Sequence, residues 1–248
     1  MDLFDLTGQK ALVTGAGSLH GLARGIAQGL QAAGADVVVL SRSTGVFEVA
    51  RQDGFLAVQA DLGDRAALQR GFEAAAAKLG ALDILVNSHG IQRRRKAELF
   101  TLEDWDQVLE INLTSVFQLC QLAARVMIPR RHGKIINVAS MLTFTGGVTV
   151  PAYAASKGGI GQLTKAFSNE WAPYVINVNA IAPGYMDTDM NTALKQDAAR
   201  NQQILDRIPA GRWGAPDDVK GVAIFLASRA SDYLCGAIIP VDCGWLAR

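Results

Sequence analysis

Short apolar runs recur along the chain, each about the length of a strand and free of polar alternation, and longer stretches with helical spacing lie between them. The runs at 11–14, 37–40, 56–60, 84–87, 134–139, 177–181 and 237–241 predict strands. Helices are predicted near 21–33, 46–51, 65–79, 102–128, 152–171 and 217–227. Unbroken apolar runs suit strands covered on both faces, which is the parallel-sheet case. Repeated strand–helix units with right-handed crossovers close into a doubly wound sheet with helices on both sides. The expected class is therefore α/β, with a seven-stranded parallel sheet. Only 187–214 breaks the rhythm. It is long for a connection and reads as a candidate substrate lid.

Composition narrows the picture. The chain has 248 residues, half of them apolar, enough for one large core and a single domain over 1–248. Lys plus Arg number 24 and Asp plus Glu 23, so no global basic field points to nucleic acid or a membrane surface. Cys120, Cys235 and Cys243 are far apart, with neither zinc-ligand nor Cys-x-x-Cys spacing, so free thiols in a reducing cytoplasm are expected and no metal. The start, Met-Asp-Leu-Phe-Asp, has no basic stretch leading into an apolar run, so no secretory leader is expected. No apolar run is long enough to span a bilayer.

Candidate chemistry sits in two places. The first strand runs into Thr14-Gly15-Ala16-Gly17-Ser18-Leu19-His20-Gly21-Leu22-Ala23. A glycine-rich turn between strand and helix lets backbone amides approach a pyrophosphate at the helix N-terminus. Downstream, Tyr153-Ala-Ala-Ser-Lys157 places a phenol and an ammonium four residues apart on one helix face, with Ser140 thirteen residues earlier, after an apolar strand. A free phenol has a pKa near ~10, too high for proton transfer at neutral pH. An ammonium at roughly 4 Å, with an effective dielectric of about 20, supplies on the order of 4 kcal/mol, or roughly three pKa units. Lys157 is thus expected to make Tyr153 a usable acid and base, the chemistry of hydride exchange at a carbonyl carbon.

With these residues the chain resembles the short-chain dehydrogenase/reductase family, from Lys10 to the C-terminus. Further matches are Asn112 in Ile111-Asn112-Leu113, Asp61-Leu62 after the third strand, and Pro183-Gly184 followed by Thr188. The resemblance implies a Rossmann fold and a catalytic set of Asn112, Ser140, Tyr153 and Lys157. Tyr153 would exchange the proton on the substrate oxygen, and Lys157 would lower its pKa and bind the nicotinamide ribose. Ser140 would hydrogen-bond the developing alkoxide, and Asn112 would hold a water linking Lys157 to solvent. The plainer alternatives are a helix N-terminal serine at Ser140 and a buried amide at Asn112. Cofactor contacts are expected from Gly15, Gly17, Ser18, Gly21, Leu22, Ser41, Arg42, Asp61, Leu62, Asn87, Gly90, Tyr153, Lys157, Pro183, Gly184 and Thr188.

Two departures stand out. The family's usual turn is Thr-Gly-x-x-x-Gly-x-Gly; here it is two residues longer, with Ala23 where the last glycine belongs. That form looks like the divergent enoyl-thioester reductases, but those space tyrosine and lysine more widely than Tyr153 and Lys157. The family's Asn-Asn-Ala-Gly after the fourth strand becomes Asn87-Ser88-His89-Gly90, in which His89 reads as structural or as a titrating group near the site. At the end of the second strand, Ser41-Arg42 offers a hydroxyl and a guanidinium but no acid, which favours NADP over NAD. Arg42 stacked on adenine or facing solvent is the alternative.

After Gly90 comes Ile91-Gln92-Arg93-Arg94-Arg95-Lys96. Such a run is either a solvated surface or, leaving the carboxyl end of a central strand, a grip for a substrate carboxylate through Arg93 or Arg94. The stretches Asn137–Gly147, 169–171, 180–186, 207–214 and 241–248 look like the deoxy-keto-gluconate dehydrogenases of uronate breakdown. That resemblance implies a keto-deoxy sugar acid of the 2-keto-3-deoxygluconate type, with Met141, Tyr185 and Met186 lining the pocket or simply packing, and a homotetramer. The expected protein is a cytoplasmic NAD(P)-dependent oxidoreductase without nucleic-acid or membrane partners. A gluconate 5-dehydrogenase and a 3-oxoacyl-thioester reductase are the neighbouring alternatives. A catalytically silent NAD(P)-binding regulator is the alternative of another class.

Overall fold

The strands β1 (Lys10–Thr14), β2 (Asp36–Ser41), β3 (Leu56–Gln59), β4 (Ile84–Asn87), β5 (Gly133–Val138), β6 (Ile176–Pro183) and β7 (Ile238–Val241) form one parallel sheet. Their order is β3-β2-β1-β4-β5-β6-β7. The computed structural model describes residues 3–248; Met1 and Asp2, the start of the stretch read for a leader, lie outside the described residues. Each predicted strand is present, with ends within two residues of expectation. No helix among the described residues is long and apolar enough to cross a membrane.

Two apolar layers explain why the strands read as unbroken. Leu12, Val38, Leu40 and Leu85 pack on one side of the sheet, while Val13, Val37, Val39, Ile84 and Val86 pack on the other. Successive side chains point to opposite faces, so a sheet covered twice needs apolar residues at every position. The first layer is closed by α3 (Arg65–Leu79), α5 (Ser115–Met127) and α6 (Pro151–Trp171), the second by α1 (Leu22–Ala32), α2 (Gly45–Asp53) and α9 (Lys220–Ala227), with α4 (Leu102–Leu109) ahead of α5.

Two helical expectations are revised. The single helix expected over 102–128 widens into a π-helical turn at Glu110–Thr114, between α4 and α5. The interruption at 187–214 holds two short helices, α7 (Thr192–Gln196) and α8 (Ala198–Arg207). Its ends are pinched together: Met186 bridges Gly214, the Asp187 N–H donates to the Gly214 carbonyl at 2.7 Å, and the Gly214 N–H donates to the Tyr185 carbonyl at 2.9 Å. The helix α8 buries only Ile204, so it gave no apolar stripe for periodicity to register. Ile204 and Ile208 join Met141 and Trp245 in a small third cluster, with Tyr185 and Trp213 at its edge.

Candidate active site

In a doubly wound sheet ligands bind beyond the carboxyl ends of the strands, where the strand order reverses. That point here lies between β1 and β4, neighbours at the centre of the sheet. A cleft of about 330 Å³ opens there. Gly15, Ser18, Gly21, Leu22, Ser41, Arg42, Asp61, Leu62, Gly90, Tyr153, Lys157, Pro183, Gly184 and Thr188 all line it, as do Ser140 and Met186. Gly17 and Asn87 do not reach its wall. Gly17 packs behind the turn, where a Cβ would come 2.5 Å from Ser41 Oγ. Asn87 is buried and donates to Asn137 Oδ1 at 2.9 Å, tying β4 to β5.

The wall beside α1 suits an anion. Gly21, at the N-cap of α1, makes no side-chain cap, and the first turn carries no acid, which leaves the amide dipoles open to a phosphate. Gly15, at φ 91°, presses so closely on the β4 loop that a Cβ would sit 2.7 Å from His89 Cα. Ser41, Arg42 and Ser43 offer two hydroxyls and a guanidinium on the neighbouring wall, with no acid among these three residues. Ser43 escaped the sequence reading although it adjoins the Ser41-Arg42 pair. The Ser88 hydroxyl, also on the wall, is buried without a hydrogen-bond partner, a donor left over for a bound group. The Asp189 carboxylate accepts from the Ser18 hydroxyl and so ties the 187–214 segment to the phosphate turn.

Ser140 follows the end of β5 and caps a short 3-10 turn, accepting from the Leu142 N–H at 3.1 Å. The plain reading is seen directly, and the same residue also lines the cleft together with Tyr153. Tyr153 and Lys157 lie one turn apart at the start of α6, which opens on Pro151. Lys157 is buried; its Nζ donates to the Val138 carbonyl at 2.6 Å and sits 5.7 Å from the centre of the Tyr153 ring.

Burial dominates the electrostatics of this pair. Burial raises the Tyr153 phenol above its ordinary value, and the Ser140 hydrogen bond and the Arg94 charge pull it down without reversing that. The Lys157 ammonium donates to the Val138 carbonyl on the side of β5. Burial pushes Lys157 itself down to about 8. The pair is thus a neutral phenol, ready to donate, beside a lysine that holds its charge loosely.

Asn112 lies in the π-helical turn, its side chain fully used: Oδ1 accepts from the Ile91 N–H at 2.8 Å, and Nδ2 donates to the Ile91 carbonyl at 2.9 Å and to Ser156 Oγ at 3.2 Å. It stands behind the cleft, while its neighbour Ile111 reaches the wall. His89 is buried, 2.7 Å from Thr14 Oγ1 through Nδ1 and 2.7 Å from Ser115 Oγ through Nε2. Burial first, then the Lys157 charge, pushes it down to about 3, which takes the structural side of the two readings.

The arginine run divides. Arg93 donates to Gln107 Oε1 at 2.8 Å and pairs with Asp104 at 3.5 Å; Arg95 lies 3.8 Å from Asp104. Arg94 donates only to Gln92 Oε1, at 2.9 Å, and has no ion pair with a carboxylate among the described residues. Partial burial lowers its pKa, and the charges it senses are those of Tyr185, Arg200 on α8, and Tyr153. Arg93, Arg94, Met141 and Tyr185 do not line the cofactor cleft; Tyr185 stacks edge-on against Trp213 and Trp245 at ring separations of 5.4 and 4.7 Å.

Similar proteins bear on this arrangement. A family model described as enoyl-(acyl carrier protein) reductase matches residues 15–246. A 2-dehydro-3-deoxy-D-gluconate 5-dehydrogenase of Bacillus subtilis is 50% identical over 255 residues, covering 100% of this chain and 98% of the relative. A protein of the same description from Escherichia coli is 47% identical, covering 100% and 99%. The crystal structure of a gluconate 5-dehydrogenase from Burkholderia cenocepacia, in complex with NADP and tartrate, superposes with a TM-score of 0.93 at 42% identity, covering 100% of this chain and 98% of that one. The glycine turn, the central cleft and the Ser140, Tyr153 and Lys157 cluster carry the same conclusion as these likenesses: the chain belongs to the short-chain dehydrogenase/reductase family.

Proposed function

We propose that this protein moves hydride between NADP(H) and a ketone or secondary alcohol of a keto-deoxy sugar acid, of the 2-keto-3-deoxygluconate and 2,5-diketo-3-deoxygluconate type. The observation that carries the reading is the gathering of Ser140, Tyr153 and Lys157 on the wall of the central cleft, with Arg94 on the loop after β4 holding no carboxylate among the described residues. The names of the two 2-dehydro-3-deoxy-D-gluconate dehydrogenases support the substrate class, and the tartrate complex supports an acid bearing hydroxyls.

The cofactor fits the residues present. Gly15, Ser18, Gly21 and Leu22 would hold the pyrophosphate, Asp61 and Leu62 the adenine, and Ser41, Arg42 and Ser43 the 2′-phosphate that distinguishes NADP. When bound, the nicotinamide supplies or accepts the hydride at the substrate carbon. Ser140 donates to the substrate oxygen as negative charge grows there, and Tyr153 gives it a proton. Lys157, charged below about pH 8, holds the local potential positive while that proton leaves. Arg94 anchors the carboxylate through a charge-assisted pair, Tyr185 and Met186 flank the sugar chain, and the 187–214 segment closes over it. A single domain spans 1–248, and the protein is a cytoplasmic homotetramer. The exposed Phe117 on α5, tilted against Phe167 at 5.9 Å, suits the face where α5 and α6 meet a second copy.

Initial rates with NADPH and NADH against 5-keto and 2-keto-3-deoxy sugar acids test this, with gluconate and acetoacetyl thioester as controls. Saturable turnover of a keto-deoxy sugar acid is expected. Turnover of the thioester alone would overturn the substrate class, and silence across the panel would favour the regulator.

A further inference from the structure

A π-helical turn shifts the backbone ladder by one residue and frees a carbonyl that an α-helix would have paired. Here the Ser115 N–H donates to the Glu110 carbonyl, five residues back, instead of to Ile111. The abandoned Ile111 carbonyl is taken up by the Ser115 side chain, whose hydroxyl donates to it at 2.6 Å. That choice sets the rest of the chain. With its proton committed, Ser115 Oγ accepts from His89 Nε2 at 2.7 Å, and His89 Nδ1 accepts from the Thr14 hydroxyl at 2.7 Å. A neutral imidazole with its proton on Nε2 satisfies the shorter contact at each end; the Val86 carbonyl, 3.2 Å from Thr14 Oγ1, is the longer competitor for the Thr14 proton.

The same two segments are joined a second time, in the opposite direction. The loop after β4 sends His89 into the π-helical turn, and the turn sends Asn112 back to Ile91 of that loop. Between the two stitches lie Ser88, His89, Gly90 and Ile91, all on the cleft wall, with Ile111 facing them. Thr14, at the far end, is the last residue of β1 and leads into the phosphate turn.

We propose that His89 is a positioning residue: as a neutral hydrogen-bond bridge from Thr14 to Ser115, it locks the widened helical turn and the β4 loop into the register that shapes the catalytic wall of the cleft. Among the described residues the charge that bears on it is that of Lys157, which opposes protonation, while the Ile111 backbone pulls the other way. An apolar residue at position 89 would leave Ser115 only its bond to Ile111, and Thr14 only its contacts with Val86 and Ser88, so that nothing would tie the turn to the end of β1. The wall would then move relative to Tyr153 and Lys157, and small displacements of that kind are costly in rate.

The inference rests on Tyr153 and Lys157 as the proton-handling pair, so turnover by the unaltered protein is measured first. One readout stands apart from turnover: ¹⁵N spectra of the imidazoles, in which one histidine is expected to stay in the Nε2–H neutral form down to about pH 4 and to vanish in His89→Phe. In kinetics, His89→Phe and Ser115→Ala are each expected to lower kcat by about 10-fold or more while KM and the NADPH dissociation constant stay within about 3-fold. His89→Gln, which restores a donor on the Nε2 side, is expected to recover most of the loss. The double variant is expected to lose little more than either single one. Ser115→Ala keeps the test alive should His89→Phe fold poorly. Three results would overturn the proposal: an unchanged kcat in folded variants, a titrating His89 at neutral pH, or an ionisation in the kcat profile that His89→Phe removes. The last would make His89 itself an acid or base.

Discussion

Asn112 pairs with Ile91 along both backbone edges, accepting from its N–H at 2.8 Å and donating to its carbonyl at 2.9 Å. This is how a strand neighbour would pair, supplied by a side chain from a helix. Asn112→Leu removes both bonds and strands two largely enclosed backbone groups, so a stability loss of about 1–3 kcal/mol is expected. Urea unfolding checks it, as a lower midpoint at unchanged slope. No change in the midpoint would mean that the loop after β4 is held without Asn112.

Tyr153→Phe keeps the ring and removes the proton. A fall in kcat of about 10²- to 10⁴-fold is expected, the usual worth of a positioned acid or base. Binding of NADPH, followed by its fluorescence, should persist. Because burial keeps the phenol protonated, alcohol oxidation by the unaltered protein should quicken with rising pH, whereas ketone reduction should not.

Burial lowers Lys157 from 10.5 to about 8, and this has a consequence for stability. Between those values the unfolded chain binds more protons than the folded one, so folding stability rises with pH across that window and is lost as pH falls through about 8. The difference is on the order of 3 kcal/mol. Tyr153, raised by burial, acts in the opposite sense above pH ~10. Unfolding is therefore compared between pH 7.5 and 10 in a Tyr153→Phe background, with and without Lys157→Met; the rise should disappear with the lysine.

Arg94 and Arg93 should behave differently despite adjoining in the chain. Losing the charge-assisted pair at Arg94→Ala should raise KM for a sugar acid by roughly 10- to 100-fold and leave a neutral ketone within about 2-fold. Arg93→Ala should shift neither much, because Arg93 is already held by Asp104 and Gln107. Equal effects from both would point to a diffuse surface charge instead of an anchor.

Cofactor preference is read at Arg42. Arg42→Ala should raise KM for NADPH about 10-fold while leaving NADH nearly unchanged, as expected for loss of a guanidinium–phosphate contact. A parallel loss with both cofactors would mean that Arg42 stacks on adenine.

Much of this molecule was determined by the sequence alone. The seven strands and their sheet follow from apolar runs that leave no polar face, and the cleft follows from where such a sheet reverses its order. Ser140, Tyr153 and Lys157 could be named because one is tied to a strand end and the others to a helical spacing, both local features. Tertiary structure decided what depends on residues far apart in the chain. The upward shift of the Tyr153 phenol turned on burial, which no spacing encodes. That Arg93 and not Arg94 is paired turned on Asp104, eleven residues from Arg93 and one helix on. The π-helical turn has no signature in an apolar pattern, since a one-residue shift in hydrogen bonding leaves the helical face nearly intact. His89 became intelligible only when Thr14 and Ser115, 75 and 26 residues distant, were found at its two nitrogens.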